Sequence, residues 1–420
     1  MAPAAHAVRA SAHGAAVAPV ALPEHLAPPA ESAKRRLIGR HIAPPTLSAA
    51  HWQRIDTPDG PAWRALVRAD GAAFLRPRFE VLPNNVTSVF VYAPGEAPIA
   101  VSPRRDAPFW GPIVEGDRAF IEAQTIDGRL PALRLAGLSY GTVPFWVPQK
   151  EQSCNIETSC HPEWADEASG VALITFEEHG NTYLCTGSLV TDISHTMTPY
   201  FLTANHCLSD QAAAESLVAY WYYQTPTCGG SVPSLQNVPL SEGADFLAGG
   251  ALSDYTLMLL HEAPPTERSF LGWSTDPLAG GEEITVIHHP GGAHKRITFG
   301  NMVNGFATHW TVRYYEGSTE GGSSGSPLFN AGKQIVGQLT GGSAACFFMF
   351  GSDRFGKFAL SWDNGLADIL GVEVTTTTTV PATTTTSTIP DPGDDDDATD
   401  DDADGMSDDD DDEDDGACCG

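Results

Sequence analysis

The stretch from Gly317 to Pro327 has the residue types that acyl-transfer chemistry needs. It reads G-S-T-E-G-G-S-S-G-S-P, and it places Ser324 between Gly322 and Gly325. A serine hydroxyl is a weak nucleophile at neutral pH, so such chemistry also needs a base and backbone N–H groups that receive the oxyanion. Glycines permit the backbone conformations that aim several N–H groups into one concavity. The stretch therefore indicates either a nucleophile loop or a simple glycine- and serine-rich turn.

Two residues upstream could serve as the partners of this serine. His206 follows the apolar run from Tyr200 to Ala204, and Asp254 opens the apolar run from Tyr255 to Leu260. A carboxylate beside such a strand is costly to bury unless a cation or a hydrogen-bond donor pairs with it. The order along the chain is histidine, aspartate, serine, which is the chymotrypsin order and differs from those of subtilisin and the α/β-hydrolases. We therefore predict a catalytic triad.

Seven short motifs carry a family resemblance that covers about half of the chain. The region from Ser153 to Trp362 closely resembles bacterial lysyl endopeptidases, within the chymotrypsin-like superfamily. The motifs are S-C-N-I at Ser153, C-T-G-S-L-V at Cys185, Y-F-L-T-A at Tyr200, I-H-H-P at Ile287, K-R-I at Lys295, G-S-S-G-S-P at Gly322 and G-Q-L at Gly337.

The resemblance implies a mechanism. His206 takes the proton of Ser324 as the hydroxyl attacks a peptide carbonyl, and Asp254 orients the imidazole and stabilises its cation. The N–H groups of Gly322 and Ser324 receive the oxyanion. Asp245 is an alternative carboxylate, but it lies in a glycine-rich stretch, so we favour Asp254.

The resemblance also implies a substrate preference. Asp353, seven residues after Cys346, matches the aspartate at the floor of the family's specificity pocket, with Thr340 and Gly341 beside it. A buried carboxylate in a pocket selects a cation at P1, the residue before the cut bond, although Asp353 could instead be an exposed loop residue. The family has a histidine where this chain has Thr340, so lysine over arginine is less firmly predicted. Phe306 and Trp310 are candidates for the family's nearby tryptophan.

Ser323 departs from the trypsin pattern, whereas the pair His288 and His289 belongs to a motif that the resembling family shares. Trypsin-like zymogens have an aspartate where this chain has Ser323, so activation by capture of a freed N-terminus is not expected. The paired histidines could suggest a metal, but the resemblance implies a structural role and no required cofactor.

The cysteines indicate an oxidising compartment. Six of the eight lie in the middle of the chain without the spacing of a zinc site, so we expect three disulfides in preference to six buried thiols. The resemblance implies the pairs Cys154–Cys346, Cys160–Cys228 and Cys185–Cys207. The first residues do not form a convincing signal peptide, which conflicts with export unless the start codon is mis-assigned.

Composition and residue patterns divide the chain into six predicted segments. We predict a disordered segment over residues 1–45, a β-sandwich-like prodomain over 46–140 and a linker over 141–153 with a processing site at Lys150. Many short strands over 154–372 favour an all-β, double six-stranded β-barrel. A threonine-rich stalk over 373–390 and an acidic tail over 391–420 complete the chain, and both tails are expected to be disordered.

The acidic tail bears on partners. Net charge is −30, and the 17 carboxylates between Asp391 and Asp415 argue against nucleic acid as a partner. One tail segment has the spacing of an oxygen-ligated calcium loop, as an alternative to a solvated polyanion; its carboxylates are Asp400, Asp402, Asp404, Asp408 and Asp411. Cys418 and Cys419 could tether the tail to a cell surface. No apolar run is long enough for a membrane span.

The sequence thus predicts a secreted, monomeric serine endopeptidase that cuts protein or peptide substrates after lysine alone or after lysine and arginine. The alternatives are a protease with broader or altered P1 preference and a catalytically silent surface binding module.

Overall fold

Short strands dominate the computed structural model, which describes residues 17–20, 35–144, 153–346, 348 and 350–373. Before residue 145 the chain forms β1 (Val17–Pro19), β2 (Arg36–Ile42), β3 (Gln53–Thr57), β4 (Gly60–Arg68), β5 (Phe74–Phe79), β6 (Val86–Tyr92), β7 (Ile99–Ala100), β8 (Phe109–Trp110), β9 (Val114–Glu115), β10 (Arg118–Thr125) and β11 (Leu135–Gly141).

These strands build two sheets that face each other. One has the order β1-β4-β10-β6-β7, with β3 on β4, and the other contains β2, β11 and β5, with β8 and β9 on β5. Alternate side chains of a strand point to the same face, so each sheet can offer one apolar face. Both faces share one core, which includes Val67, Leu75, Val89, Ile121 and Leu138. The predicted β-sandwich-like arrangement is confirmed.

The remaining strands belong to the predicted catalytic region. They are β12 (Ile156–Glu157), β13 (Val171–Glu178), β14 (Asn181–Val190), β15 (Tyr200–Ala204), β16 (Val218–Tyr220), β17 (Leu240–Glu242), β18 (Ala244–Gly250), β19 (Tyr255–Leu260), β20 (Glu283–His288), β21 (Arg296–Gly305), β22 (His309–Glu316), β23 (Pro327–Phe329), β24 (Ile335–Gly342) and β25 (Asp353–Lys357). The α-helices are short: α1 (Ala165–Ser169), α2 (Gln211–Glu215), α3 (Phe358–Ser361) and α4 (Ala367–Leu370).

Two barrels form from these strands. In one, the pairing runs β21-β20-β23-β24-β25-β22 and returns to β21, which closes six strands around an apolar core. In the other, the pairing runs β17-β16-β13-β14-β15-β19-β18 and stays open between its two ends among the described residues. The all-β, chymotrypsin-like double barrel is therefore confirmed, with one barrel closed and the other half-closed.

The prediction of disorder over residues 1–45 is wrong at strand β2. Residues 36–42 lie within 1–45, yet they pair with β11 on one side and with β14 of the half-closed barrel on the other. The basic residues around them made the apolar Leu37, Ile38 and Ile42 a weak strand signal. The edges of β11 and β14 supply the hydrogen-bond partners that make the segment a strand. Because β2 joins both parts of the chain, the boundary at residue 46 separates segments that fold together; β1 also lies before it. The other domain boundaries stay a prediction.

Several predictions fall on residues that the structure does not describe: Lys150, the threonine-rich stalk and the acidic tail with its calcium carboxylates Asp400, Asp402, Asp404, Asp408 and Asp411. Within the described residues, no helix is long and apolar enough to cross a membrane.

Candidate active site

The register of two neighbouring strands brings His206 and Asp254 together. Strands β15 and β19 are antiparallel, and Ala204 at the end of β15 pairs with Tyr255 at the start of β19. The residues just beyond this end of the ladder must therefore lie side by side. The backbone N–H of Asn205 donates to the carbonyl oxygen of Asp254 at 3.0 Å, which continues the pairing by one residue.

His206 and Asp254 make two hydrogen bonds. His206 Nδ1 lies 2.7 Å from Asp254 Oδ2, and the backbone N–H of His206 donates to Asp254 Oδ1 at 2.8 Å. Asp254 has a φ of +58°, a left-handed conformation that non-glycine residues seldom adopt. Such strain persists only where surrounding contacts fix the backbone, and it clusters at functional sites.

The environment keeps Asp254 ionised. Burial alone would raise the pKa of this carboxyl, but hydrogen bonding and the charge of His206, with a further hydrogen bond from the Thr340 hydroxyl, lower it below its usual value. The alternative carboxylate, Asp245, instead pairs with His261, whose Nε2 lies 2.9 Å from Asp245 Oδ1.

The loop that carries Ser324 packs on the strands that lead to His206. The backbone N–H of Thr186 donates to the carbonyl of Ser324 at 2.8 Å, and the Thr186 hydroxyl donates to the carbonyl of Gly322 at 3.0 Å. A Cβ atom on Gly325 would lie 2.2 Å from Thr203 Oγ1 on β15, so only glycine fits there. The structure thus brings Ser324, which is 3% exposed, to the end of β15 beyond which His206 lies.

The predicted oxyanion glycine occupies a sharp bend. Gly322 has a φ of +101°, and a Cβ atom there would lie 2.5 Å from Leu184 Cδ1. Both the left-handed conformation and the close approach require glycine. The bend is of the kind that can turn neighbouring N–H groups toward one point.

Ser323, the residue before Ser324, is bonded to a buried histidine. Its Oγ lies 2.8 Å from His288 Nδ1 and accepts from the N–H of Glu320 at 3.1 Å, while His288 Nε2 lies 3.0 Å from Thr298 Oγ1. Burial, with a smaller effect of the Arg296 charge, lowers the pKa of His288 to about 3. His288 is therefore neutral near pH 7, and both of its ring nitrogens lie within hydrogen-bond distance of hydroxyl groups.

Asp353 is buried at the start of β25, between β22 and β24. Its Oδ2 accepts from the hydroxyls of Tyr314, at 3.0 Å, and Thr319, and its Oδ1 accepts from the N–H of Ala344 at 3.2 Å. Burial raises the pKa of this carboxyl against the opposing effect of these hydrogen bonds. The alternative of an exposed loop aspartate is wrong.

A cavity of about 160 Å³ lies beside two residues that bond Asp353. Its walls include Tyr314 and Ala344, which both bond Asp353, and the disulfide partners Cys154 and Cys346. The structure forms the three disulfides that the resemblance implies: Cys154–Cys346, Cys160–Cys228 and Cys185–Cys207. The last of these joins β14 to the residue that follows His206.

Comparison with known proteins shows the family of this chain. Residues 149–356 match the family described as lysyl endopeptidase, C-terminal domain. A lysyl endopeptidase from Pseudomonas aeruginosa is 30% identical over 357 residues, which cover 74% of this chain and 75% of the relative. The chain belongs to the lysyl endopeptidase family. As a member of this family, it is a serine endopeptidase and acts on peptide substrates.

Solved structures with a similar fold have lower sequence identity to this chain. The active form of the Rv3671c protease from M. tuberculosis is 16% identical, with a TM-score of 0.38, and the match covers 52% of this chain and 87% of that one. A Glu endopeptidase in complex with MPD is also 16% identical, with a TM-score of 0.37, and the match covers 49% of this chain and 92% of the other.

In this member of the lysyl endopeptidase family, the structure also places residues around the candidate site that the sequence did not reveal. Thr319 and Tyr314 bond Asp353, and His309 bonds Thr340 from a neighbouring strand. The contacts of Tyr314 and His309 follow from the positions of β22 and β24 beside β25, and Thr319 comes from the loop after β22. Trp310, a candidate for the family's tryptophan, is buried in the closed barrel and donates to the carbonyl of Val336 at 3.0 Å. The other candidate, Phe306, is exposed.

Proposed function

We propose that the protein is an exported serine endopeptidase that hydrolyses peptide bonds after lysine, with His206, Asp254 and Ser324 as its triad. The 2.7 Å contact between His206 Nδ1 and Asp254 Oδ2, at the end of the strand against which Ser324 packs, carries this proposal. An ionised Asp254 fixes the Nδ1–H tautomer of His206, which leaves Nε2 as the base.

The reaction then proceeds in two steps. Ser324 Oγ attacks the carbonyl carbon while His206 Nε2 takes the hydroxyl proton, and the oxyanion is received by the N–H groups of Gly322 and Ser324. The C–N bond breaks as His206 returns the proton to the departing amine. Water, deprotonated by His206, then attacks the acyl ester; the new carboxylate leaves, and His206 returns the proton to Ser324 Oγ. Nucleophile, base and oxyanion donors all come from the chain, so we propose no required cofactor.

The surroundings of Asp353 support lysine over arginine. A carboxylate offers about four acceptor positions, and Tyr314, Thr319 and Ala344 use three of them in the described structure. An ammonium group can bond through a single N–H, whereas a guanidinium binds best to both oxygens at once. The remaining position on Oδ1 therefore suits lysine, with Thr340 and Gly341 as further pocket residues.

Other parts of the proposal concern maturation and location. Three disulfides suit an extracellular enzyme, and a protease that cuts after lysine could release its own catalytic region after Lys150. We propose that the enzyme acts as a monomer. Calcium binding by the acidic tail and tethering through Cys418 and Cys419 stay predictions.

Covalent labelling tests the triad. The oxidised full chain is treated with an organophosphate, and the modified residue is identified by peptide mass mapping. We expect one adduct, on Ser324, that is lost in His206→Ala and retained in the control His261→Ala, which alters the pair with Asp245. Absence of labelling in folded protein would favour the catalytically silent binding module.

A further inference from the structure

Strand β2 runs along β14 with its N-terminal end toward the candidate active site. The strands are antiparallel, with Arg36 opposite Leu184 and Arg40 opposite Asn181. Leu184 precedes Cys185, whose disulfide partner Cys207 follows His206. The chain therefore enters β2 from the side of His206 and Ser324.

Arg35 lies against the segment that carries His206. Its Nη1 donates to the carbonyl oxygen of Cys207 at 3.1 Å and pairs with the carboxylate of Glu178. Its guanidinium carbon lies 3.8 Å from the centre of the Tyr183 ring. These contacts fix the side chain of Arg35 one residue away from the proposed catalytic base.

Arg36 lies against the segment that leads to Ser324. Its Nη1 is 2.7 Å from the point where a Cβ atom of Gly291 would lie, and Glu320 Oε2 is 4.0 Å from the same point. The N–H of Glu320 donates to Ser323 Oγ, and Leu184, the partner of Arg36 in the ladder, packs on Gly322. Arg35 and Arg36 are thus held between the two halves of the candidate site.

Peptides often bind by adding a strand to an exposed sheet edge. We propose that β2 occupies the leaving-group side of the substrate cleft, and that the enzyme cleaves its own chain at the bond between Lys34 and Arg35. Lys34 lies outside the described residues, and the sequence alone supplies its identity. The inference rests on the proposed preference for lysine and names one intramolecular substrate of that same site.

The cleavage consumes one water molecule. Ser324 Oγ bonds to the carbonyl carbon of Lys34, the bond to the Arg35 nitrogen breaks, and His206 gives that nitrogen its proton. Water then hydrolyses the ester, which leaves a carboxylate on Lys34 and an amino group on Arg35.

The new N-terminal end stays in place after the cut. Strand β2 pairs with β14 and with β11, so the amine product is held by two ladders and by the contacts of Arg35 and Arg36. The sandwich that contains β11 therefore remains bound and excludes other substrates from the leaving-group side. Cleavage near Lys34 alone is thus expected to leave the enzyme partly inhibited toward proteins but able to hydrolyse small lysine anilides.

The new end can be detected directly. The oxidised full chain, its Ser324→Ala variant and its Lys34→Gln and Lys150→Gln variants are examined by intact mass and N-terminal sequencing, and each is assayed on a lysine p-nitroanilide. We expect an Arg35 N-terminus in the wild type and in Lys150→Gln, and none in Ser324→Ala or Lys34→Gln. A tagged Ser324→Ala chain mixed with active enzyme should be cut at this bond at least tenfold more slowly than the active chain cuts itself.

The outcomes separate the inference from the function on which it rests. Hydrolysis of the anilide without an Arg35 end overturns the inference and leaves the proposed function standing. An Arg35 end in Ser324→Ala kept apart from active enzyme also overturns the inference. So does cutting of the tagged chain as fast as self-cutting, because the bond is then merely accessible to any protease. A folded chain that neither cuts itself nor hydrolyses the anilide contradicts the proposed function itself.

Discussion

His309 Nε2 lies 3.2 Å from the hydroxyl oxygen of Thr340, and that hydroxyl in turn bonds the carboxylate of Asp254. Thr308 Oγ1 lies 2.7 Å from the other ring nitrogen of His309. If Thr340 donates its proton to Asp254, its oxygen accepts from His309. A chain of hydrogen bonds thus extends from Thr308 to the proposed catalytic His206. Residue 340 is a threonine in this chain, and its hydroxyl contacts a histidine of β22, His309.

Replacement of Thr340 by valine tests this chain. Valine keeps the shape but removes the donor to a charged group, a bond worth about 1.5–3 kcal/mol. We expect kcat/KM to fall about 10- to 100-fold, because the Thr340 bond helps to keep Asp254 ionised. Thr340→Ser should retain activity. Equal activity of the valine and serine variants would contradict the role of the hydroxyl.

His288 should make the protein sensitive to acid. Its pKa is about 3 in the fold and near its usual value of about 6.5 when unfolded. Between these values the unfolded state binds a proton that the folded state does not, so stability is lost as pH falls through this window, by up to about 1.4 kcal/mol per pH unit. His289 and His294, whose pKa values burial also lowers, act in the same direction.

Urea unfolding at pH 7.5 and 4.5 measures this effect in a Ser324→Ala background, which prevents self-digestion. We expect the stability difference between the two pH values to be smaller in His288→Gln by about 2 kcal/mol. An exposed histidine, His179, provides the control His179→Gln, which should leave the difference unchanged. An unchanged difference in His288→Gln would show that His288 is protonated in the fold.

Asp353→Asn should separate specificity from catalysis. Loss of the buried carboxylate leaves a P1 ammonium without its partner, at a cost of about 3–5 kcal/mol, so kcat/KM for a lysine substrate should fall about 100-fold or more. Organophosphate labelling of Ser324 should be unaffected.

Because burial raises the pKa of Asp353, the charged carboxylate opposes folding as pH rises through the window between its ordinary and raised pKa values. The variant should lack this dependence. Undiminished cleavage after lysine would place the P1 side chain elsewhere.

The disulfide between Cys154 and Cys346 should matter for the pocket as well as for stability. Replacement of both residues by serine should lower the free energy of unfolding by about 2–5 kcal/mol and raise KM for lysine substrates, because both cysteines line a cavity together with Tyr314 and Ala344, which bond Asp353. The matched control replaces Cys160 and Cys228, whose bridge does not line that cavity. If both pairs of replacements change KM equally, the effect is one of general stability.

The chemistry of the site was more predictable from sequence than its surroundings. Ser324, His206 and Asp254 could be proposed from sequence because each stands beside a local signal, either glycines or an apolar run. The donors around Asp353 could not be predicted, because Tyr314 reaches it through the pairing of β22 with β25, and Thr319 reaches it from the loop after β22. Disulfide pairing came from resemblance, since spacing alone leaves the connectivity open.

Strand β2 was missed for a different reason. Its basic residues resemble a disordered arm, and its strand character depends on two edges, β11 and β14, that are distant in sequence. Pairing partners of that kind override local composition. The proposed self-cleavage after Lys34 rests on the pairing of this strand with β14, which the sequence did not show.

The central claim is cleavage after lysine by Ser324, and a panel of matched p-nitroanilides tests it most directly. The oxidised full chain, allowed to mature, and its Ser324→Ala variant are assayed on substrates that differ only in lysine, arginine, leucine or glutamate at P1. The account predicts that lysine is preferred, that arginine is cut more weakly, that leucine and glutamate are not cut, and that the variant is inactive. Comparable hydrolysis after leucine, or activity that survives in the variant, would contradict it.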